Sequence, residues 1–150
     1  MHLEPKGYGG PSVSEQNQVN VLRATKIKKI LSITASGVDL NKSHAKYFED
    51  CGNGVGAWKD WTFNLLRYPM CPPDVIYSFI KKKFLEHRNA DAIYILGSGL
   101  AALRLVVAIE RNLGVPVGQP IAARNWEFQR RVHVHQPIKG YGSLLETLPA

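Results

Sequence analysis

The chain has 150 residues, 45% of them hydrophobic and 21% charged, a composition that excludes disordered and collagen-like proteins and leaves room for one buried core. Its 19 lysines and arginines against 12 acidic residues give a net charge of +7, but the basic groups do not alternate with aromatic residues, so we expect no nucleic-acid partner. Only two cysteines are present and no uncharged apolar run could span a bilayer, so we expect a reduced, cytoplasmic protein without a disulfide framework or a membrane partner.

The first half of the chain predicts a loose start followed by two helices and two strands. Glycine and proline make residues 1–13 a flexible N-terminal segment. A polar helix is expected over 14–25, a strand rich in β-branched residues over 27–34, and a helix capped by an aspartate over 39–51. Residues 55–63 predict a further, weaker strand.

The second half of the chain alternates helix and strand with short connections. The expected elements are a helix over 73–87, a strand over 92–96, a tight turn at 97–99, a helix over 100–113, a strand over 115–117, a helix over 120–133 and a short apolar segment over 144–148. In the helix over 73–87, the apolar residues expected to face the core are Val75, Ile76, Phe79, Ile80 and Phe84.

Alternating strands and helices predict an α/β fold, a three-layer α/β/α lobe with a mainly parallel sheet of about four strands. We divide the chain into a flexible N-terminal segment (1–13), the α/β lobe (14–119) and a C-terminal return helix with its tail (120–150).

The strongest local signal is the turn Gly97-Ser98-Gly99 between a buried strand and a helix. Ligands of open α/β sheets bind at the carboxyl ends of the strands, and a glycine turn there exposes backbone N–H groups that favour a carboxylate or phosphate. Ser98 adds a hydroxyl donor, although the same glycines are as typical of a tight turn without a ligand. With Ala102 the segment also resembles the G-x-G-x-x-A dinucleotide fingerprint, but the acidic residue that this fingerprint requires after the next strand is missing.

A second turn, Thr34-Ala35-Ser36-Gly37, follows the first predicted strand. Because parallel strands end at the same edge of a sheet, we expect the hydroxyls of Thr34 and Ser36 to lie near the same anion, with Asn41 one helical turn further on. Ordinary turn and cap chemistry is the alternative interpretation of Ser36.

The reactive side chains form no recognisable catalytic or metal site. Cys51 ends a predicted helix and Cys71 precedes another, without a histidine or acid beside either in sequence, so we expect structural roles for both. His133 and His135 lack a third ligand at a usual spacing. The catalytic residues are therefore unknown, and no metal or other cofactor is predicted.

Three segments of the second half carry a family resemblance. They are the strand with the small-residue turn at 97–99 already described, the run ERNLGVPV at 110–117, and GYGSLL at 140–145. With the upstream stretch KKILSITASGVDLNKSHAKYFED, they resemble the aspartate/glutamate/hydantoin racemase superfamily, in particular its maleate cis-trans isomerase and arylmalonate decarboxylase branch. The resemblance covers about residues 15–149, and this part of the chain is similar to the family's second lobe and C-terminal part.

The resemblance implies two α/β lobes that face each other, with an active site between them that uses no cofactor or metal. It implies chemistry at the carbon next to a carboxylate, whose oxygens would be held here by Thr34, Asn41 and the segment 97–99. Three departures stand out. Gly97 occupies the position of the family's second-lobe cysteine, Ser36 that of a turn tyrosine, and the first lobe has no counterpart in these 150 residues.

Two functional hypotheses follow. The chain either acts on a small carboxylic acid by cofactor-independent chemistry, or is a truncated or catalytically inactive relative that only binds a carboxylate or a partner chain. The missing cysteine, tyrosine and first lobe favour the second hypothesis for the isolated chain. Because the helix over 120–133 would face the absent lobe, we expect Trp126, Phe128 and Val132 to be partly exposed and the chain to form homo-oligomers.

Overall fold

The computed structural model describes residues 13–34, 38–50, 59–62, 72–96 and 102–149. Its centre is a four-stranded sheet in the order β2-β1-β3-β4, in which every neighbouring pair of strands is parallel. The strands are β1 (Ile30–Thr34), β2 (Lys59–Thr62), β3 (Ala92–Leu96) and β4 (Val117–Gly118). The helices are α1 (Val13–Thr25), α2 (Val38–Asp50), α3 (Pro73–Glu86), α4 (Val106–Leu113), α5 (Pro120–Arg131) and α6 (Ser143–Thr147).

Both faces of the sheet are covered by helices, because side chains along each strand alternate between the faces. Ile93 and Ile95 of β3 pack in one buried cluster with apolar residues of α3 and α4. Tyr94 and Leu96 face the opposite side, where they pack with residues of α1 and α2. We call these the α3–α4 face and the α1–α2 face. The predicted three-layer α/β/α arrangement with a parallel sheet is confirmed.

The C-terminal part of the chain packs against α1 in a third buried cluster, whose members are Val21, Ala122, Ala123, Trp126, Leu144, Leu145 and Leu148. Trp126 is only 2% exposed, and its indole Nε1 donates to the carbonyl oxygen of Pro149 at 2.8 Å. The prediction of an exposed Trp126 is therefore wrong, because the tail folds back over the indole ring. Phe128 and Val132 are 63% and 47% exposed, as predicted.

Several element boundaries differ from the predicted ones. β1 starts three residues later than expected, since the N–H groups of Lys28 and Lys29 donate to the Asp91 carboxylate and not to a neighbouring strand. The helix expected over 100–113 is described only from a short 3₁₀ turn at Leu103–Leu105 onward, which continues as α4.

The inner face of α3 is narrower than predicted. Its buried residues, Ile76, Ile80 and Phe84, are spaced four apart and so form one stripe along the helix. Val75 lies beside this stripe and is 40% exposed, so the prediction that it faces the core is wrong.

Glu110 joins two of the segments on which the family resemblance rests. From α4 its carboxylate accepts hydrogen bonds from the N–H of Val117 at 2.9 Å and from the N–H and hydroxyl of Ser143 at 2.9 and 2.8 Å. The approach requires glycine at position 142, where φ is +101° and a Cβ atom would collide with Val106. The segments 110–117 and 140–145 are therefore neighbours in space as well as parts of one pattern.

Candidate functional site

The carboxyl edge of the sheet is the place where this fold can hold a ligand. Thr34, the last residue of β1, lies in register with Thr62 at the end of β2 and with Leu96 at the end of β3. β4 ends at Gly118, which pairs with Tyr94, so Gln119 emerges at this edge. Ligands of open α/β sheets bind beyond the carboxyl ends of the strands. The four strand ends therefore mark one candidate site.

Of the six predicted binding residues, the structure describes the side chain of Thr34 alone. Thr34 is fully buried at the carboxyl end of β1. Asn41 lies in the first turn of α2, and only its backbone is described. Ser36 and the segment 97–99 lie outside the described residues. The grouping of these residues around one anion thus stays a prediction.

Gln119 is a buried polar residue at this edge that the sequence analysis did not single out. It follows β4 directly, is only 1% exposed and serves as the N-cap of α5. Its side-chain oxygen Oε1 accepts hydrogen bonds from the N–H groups of Ile121 at 2.7 Å and Ala122 at 3.2 Å. The side-chain nitrogen Nε2 is buried and has no hydrogen-bond partner among the residues that the structure describes. Glutamine is not among the preferred N-cap residues, so the Gln-Pro pair at the helix start was the only available signal.

Two further buried polar side chains lie in the N-terminal half of α1. Asn17 and Gln18 are each 3% exposed, and within the described part of the chain their side-chain oxygens have no hydrogen-bond partner. Because the C-terminal end of α1 leads within a few residues into the start of β1, its N-terminal half lies toward the carboxyl edge. The sequence predicted a polar helix without indicating that these two amides face inward.

A chain of hydrogen bonds fixes α1 between α2 and α5. The Tyr47 hydroxyl donates to Gln16 Oε1 at 3.3 Å, and Gln16 Nε2 donates to Asn20 Oδ1 at 3.2 Å. Asn20 Nδ2 then donates to a carboxylate oxygen of Glu127 at 3.3 Å, and Arg131 Nε donates to the other at 2.8 Å. These contacts set the position of α1 and, with it, that of its buried amides.

Glu127 carries a charge in an almost closed environment, because its side chain is 3% exposed. Burial on its own raises the pKa of the Glu127 carboxyl, but hydrogen bonds from Arg131 and Asn20 together with the charge of Arg130 outweigh it. The pKa of Glu127 therefore lies below its ordinary value of 4.5. Glu127 is an anchored anion of the α1–α5 contact and has no proton to exchange near neutral pH.

Tyr94 is a buried phenol that lies away from the carboxyl edge. Its ring covers Gly118, where any side chain would collide with it, and burial raises the pKa of the Tyr94 hydroxyl. A cavity of about 60 Å³ adjoins the ring between α1, α6, β3 and β4, and its lining includes Ala92 and Pro116 at the amino ends of these two strands. The lining reaches only the level of the Tyr94–Gly118 pair, short of the ends of β1 and β3, so the cavity is not part of the candidate site.

The described residues contain no group of three or more histidine, cysteine, aspartate or glutamate side chains that could hold a metal ion. His133 and His135 are both exposed, and Cys51 and Cys71 lie outside the described ranges. No helix in the described part of the chain is long and apolar enough to cross a membrane.

Solved structures that superimpose on this chain include two maleate isomerases and an arylmalonate decarboxylase. The maleate isomerase Iso from Pseudomonas putida S16 superimposes with a TM-score of 0.77 and 19% sequence identity, over 90% of this chain and 54% of that one. Arylmalonate decarboxylase superimposes with a TM-score of 0.74 and 22% identity, over 89% and 58% of the two chains. A Nocardia farcinica maleate cis-trans isomerase mutant that carries a covalently bound succinylcysteine intermediate gives a TM-score of 0.75 at 21% identity, over 89% and 54%.

The resemblance predicted from the sequence is thereby confirmed at the level of the fold. No protein-family model matches the sequence, and no curated protein matches it. The chain spans a little over half the length of the solved enzymes that it resembles. The remaining part of each of these solved enzymes is not covered by the alignment with this chain.

Proposed function

We propose that this chain is a lobe of a racemase-superfamily enzyme that acts on a small carboxylic acid, at the carbon next to a carboxylate and without a cofactor. The observation that carries the proposal is the structural match to maleate isomerase and arylmalonate decarboxylase over nine tenths of the chain. The centre of the matched chain is the parallel sheet whose carboxyl edge forms the candidate site.

The ligands of the similar structures support this substrate class. One structure of the Pseudomonas putida maleate isomerase contains maleate, and the Nocardia farcinica enzyme contains a succinyl group on a cysteine. Both ligands are four-carbon dicarboxylates. A substrate of this kind requires hydrogen-bond donors for each carboxylate and a group that reacts at the adjacent carbon.

The part of the reaction assigned to this lobe is carboxylate stabilisation. An electron pair spreads onto the carboxylate oxygens in each candidate reaction: when a C–H bond at a saturated carbon next to the carboxylate gives its proton to a base, when a C–C bond there breaks and releases carbon dioxide, and when a nucleophile adds to the C=C bond of maleate. Donors already aimed at those oxygens lower the energy of this charge without reorganising. Candidate donors are Thr34, Ser36, Asn41, Ser98 and the backbone N–H groups of Gly97 and Gly99.

The proposal assigns the base to a surface outside this lobe. Gly97 stands where the resemblance places a cysteine, so the chain lacks a thiol at that position. We propose that a second copy of the chain completes the site, because Phe128 and Val132 offer an exposed apolar surface at the C-terminal end of α5. The scarcity of cysteine supports a cytoplasmic setting.

The proposal is tested by proton exchange in heavy water. The purified chain is incubated with maleate, malonate and phenylmalonate, and NMR follows deuterium incorporation next to the carboxylate, loss of carbon dioxide, and fumarate formation. We expect turnover of at least one acid. Substituting Thr34→Val should lower the rate by about 10- to 100-fold, because a hydroxyl bond to a charged group is worth about 1.5–3 kcal/mol.

Thr147→Val is the matched control, since the hydroxyl of the exposed Thr147 donates to the Ser143 carbonyl oxygen within α6. It should leave the rate unchanged. Turnover of none of the three acids would contradict the proposed activity, and equal rates for both variants would remove Thr34 from the site.

A further inference from the structure

We propose that Gln119 is a positioning residue that donates a hydrogen bond from Nε2 to a carboxylate oxygen of the substrate. This inference rests on the proposed function and adds a donor from β4 to those expected at the ends of β1 and β3. Two observations carry the inference. The buried side-chain amide of Gln119 accepts backbone hydrogen bonds through Oε1, and its Nε2, at the carboxyl edge of the sheet, has no partner among the described residues.

The orientation of the Gln119 amide follows from its partners. Both groups that contact Oε1 are backbone N–H donors, at Ile121 and Ala122, so only the oxygen can occupy that side. The NH₂ group must then point away from the first turn of α5. A single rotamer is held in place by two hydrogen bonds, which is the preorganisation that a substrate-positioning group needs.

The free NH₂ group is costly unless it binds something. A buried donor without a partner destabilises a folded protein, because it has lost its hydrogen bonds to water without replacing them. Gln119 is 1% exposed, and its Nε2 has no partner within the described chain. A ligand oxygen would recover this energy, and a carboxylate would do so best, because bonds from a neutral donor to an ionised acceptor are shorter and stronger than neutral ones.

The place of Gln119 in the sheet fits the same ligand. Gln119 directly follows β4, one residue beyond the Tyr94–Gly118 pair. β4 is the neighbour of β3, and β3 in turn pairs with β1 up to Thr34. The donor therefore belongs to the edge where the ends of β1 and β3 were predicted to hold an anion. A neutral amide there would fix the direction of a carboxylate without adding charge.

The test is an NMR titration of the whole chain with maleate, with neutral succinamide as the control ligand. The side-chain NH₂ signals of Gln119 are assigned by comparison with the Gln119→Glu variant. We expect maleate to shift both Gln119 NH₂ protons and succinamide to leave them in place. Gln119→Glu keeps an oxygen for the two N–H groups of α5 but lacks the amide donor, so its maleate affinity should fall at least about 10-fold, while its dispersed amide spectrum shows that the variant remains folded.

The outcomes separate the two proposals. If maleate shifts the backbone amide of Thr34 but not the Gln119 NH₂ signals, the role of Gln119 is wrong and the carboxylate site stands. If Gln119→Glu folds and binds maleate as tightly as the wild type, the role of Gln119 is also wrong. If maleate shifts no signal at all, the proposed function fails and the role of Gln119 fails with it.

Discussion

Single residues decide how closely the layers of this lobe approach each other, and Gly118 is the clearest case. The Tyr94 ring occupies the space in which a side chain at position 118 would lie. Tyr94 is itself buried with no hydrogen-bond partner for its hydroxyl in the described structure, so the ring is held by packing alone. Position 118 therefore requires glycine because the Tyr94 ring leaves no space for a side chain, and not because of its backbone conformation.

We predict that Gly118→Ala lowers the free energy of unfolding by about 1–3 kcal/mol, because the added methyl group must displace a tightly packed ring. Urea denaturation of the variant measures this loss. In a Tyr94→Leu background, where the ring is absent, the same substitution should cost much less. Equal costs in both backgrounds would show that the ring is not the obstacle.

Gly114 provides the comparison for this substitution. It has a φ of +71° but no atom within 4 Å of the added methyl position. Gly114→Ala should therefore show a backbone cost of about 1 kcal/mol that does not depend on Tyr94. The two glycines separate crowding from conformational strain within one molecule.

At the scale of elements, α1 is fixed by polar contacts on both sides of its helix. Its Gln16 and Asn20 connect Tyr47 on α2 with Glu127 on α5. Since Glu127 is buried and charged, the α1–α5 contact depends on the ionisation of this carboxyl. The packing of the C-terminal helix is therefore coupled to pH.

We predict that the stability contributed by Glu127 is lost in acid. The pKa of Glu127 is lowered in the folded state, so its ionised form stabilises the fold at pH values above the ordinary value of 4.5, and this contribution disappears as pH falls through the folded-state pKa. Urea unfolding at several pH values from 7 to 3 should show a steeper loss for the wild type than for Glu127→Gln. Identical pH profiles would contradict the assignment.

At the scale of the whole molecule, the described part of the chain leaves an apolar stripe exposed at the C-terminal end of α5. Phe128 lies on this helix and Val132, its C-cap, follows four residues later, and the two side chains are 63% and 47% exposed. We predict concentration-dependent self-association through this stripe, measured by static light scattering. Phe128→Ser with Val132→Ser should weaken it at least about 10-fold, since burial of one such side chain is worth about 1.5–3 kcal/mol. A wild-type chain that stays monomeric at millimolar concentration would contradict this expectation.

Much of the fold could be predicted from the sequence because its signals are local. The run 92–96 is short, apolar and rich in β-branched residues, and the prolines before α3 and α5 mark helix starts. The burial of Trp126 could not be predicted, because it depends on the return of the tail and its bond to Pro149. Contacts of this kind join residues far apart in the chain and leave no periodic pattern.

The candidate site could likewise be predicted from the sequence only in part. Its edge could be predicted, since parallel strands must end together, and Thr34 does lie at that edge, while its role in binding stays a prediction. Gln119 was missed, because nothing in the sequence shows that a capping amide is buried with one nitrogen unpartnered. The inward-facing Asn17 and Gln18 were missed for a similar reason, since polar residues on a helix usually face solvent.

The central claim is that the carboxyl edge of this sheet binds a small dicarboxylate, and amide NMR mapping with maleate tests it most directly. The account predicts shifts at the strand ends, at Thr34, Leu96 and Gln119, with the strand starts at Ile30 and Ala92 unchanged. Shifts confined to the strand starts, or no shifts at saturating maleate, would contradict it.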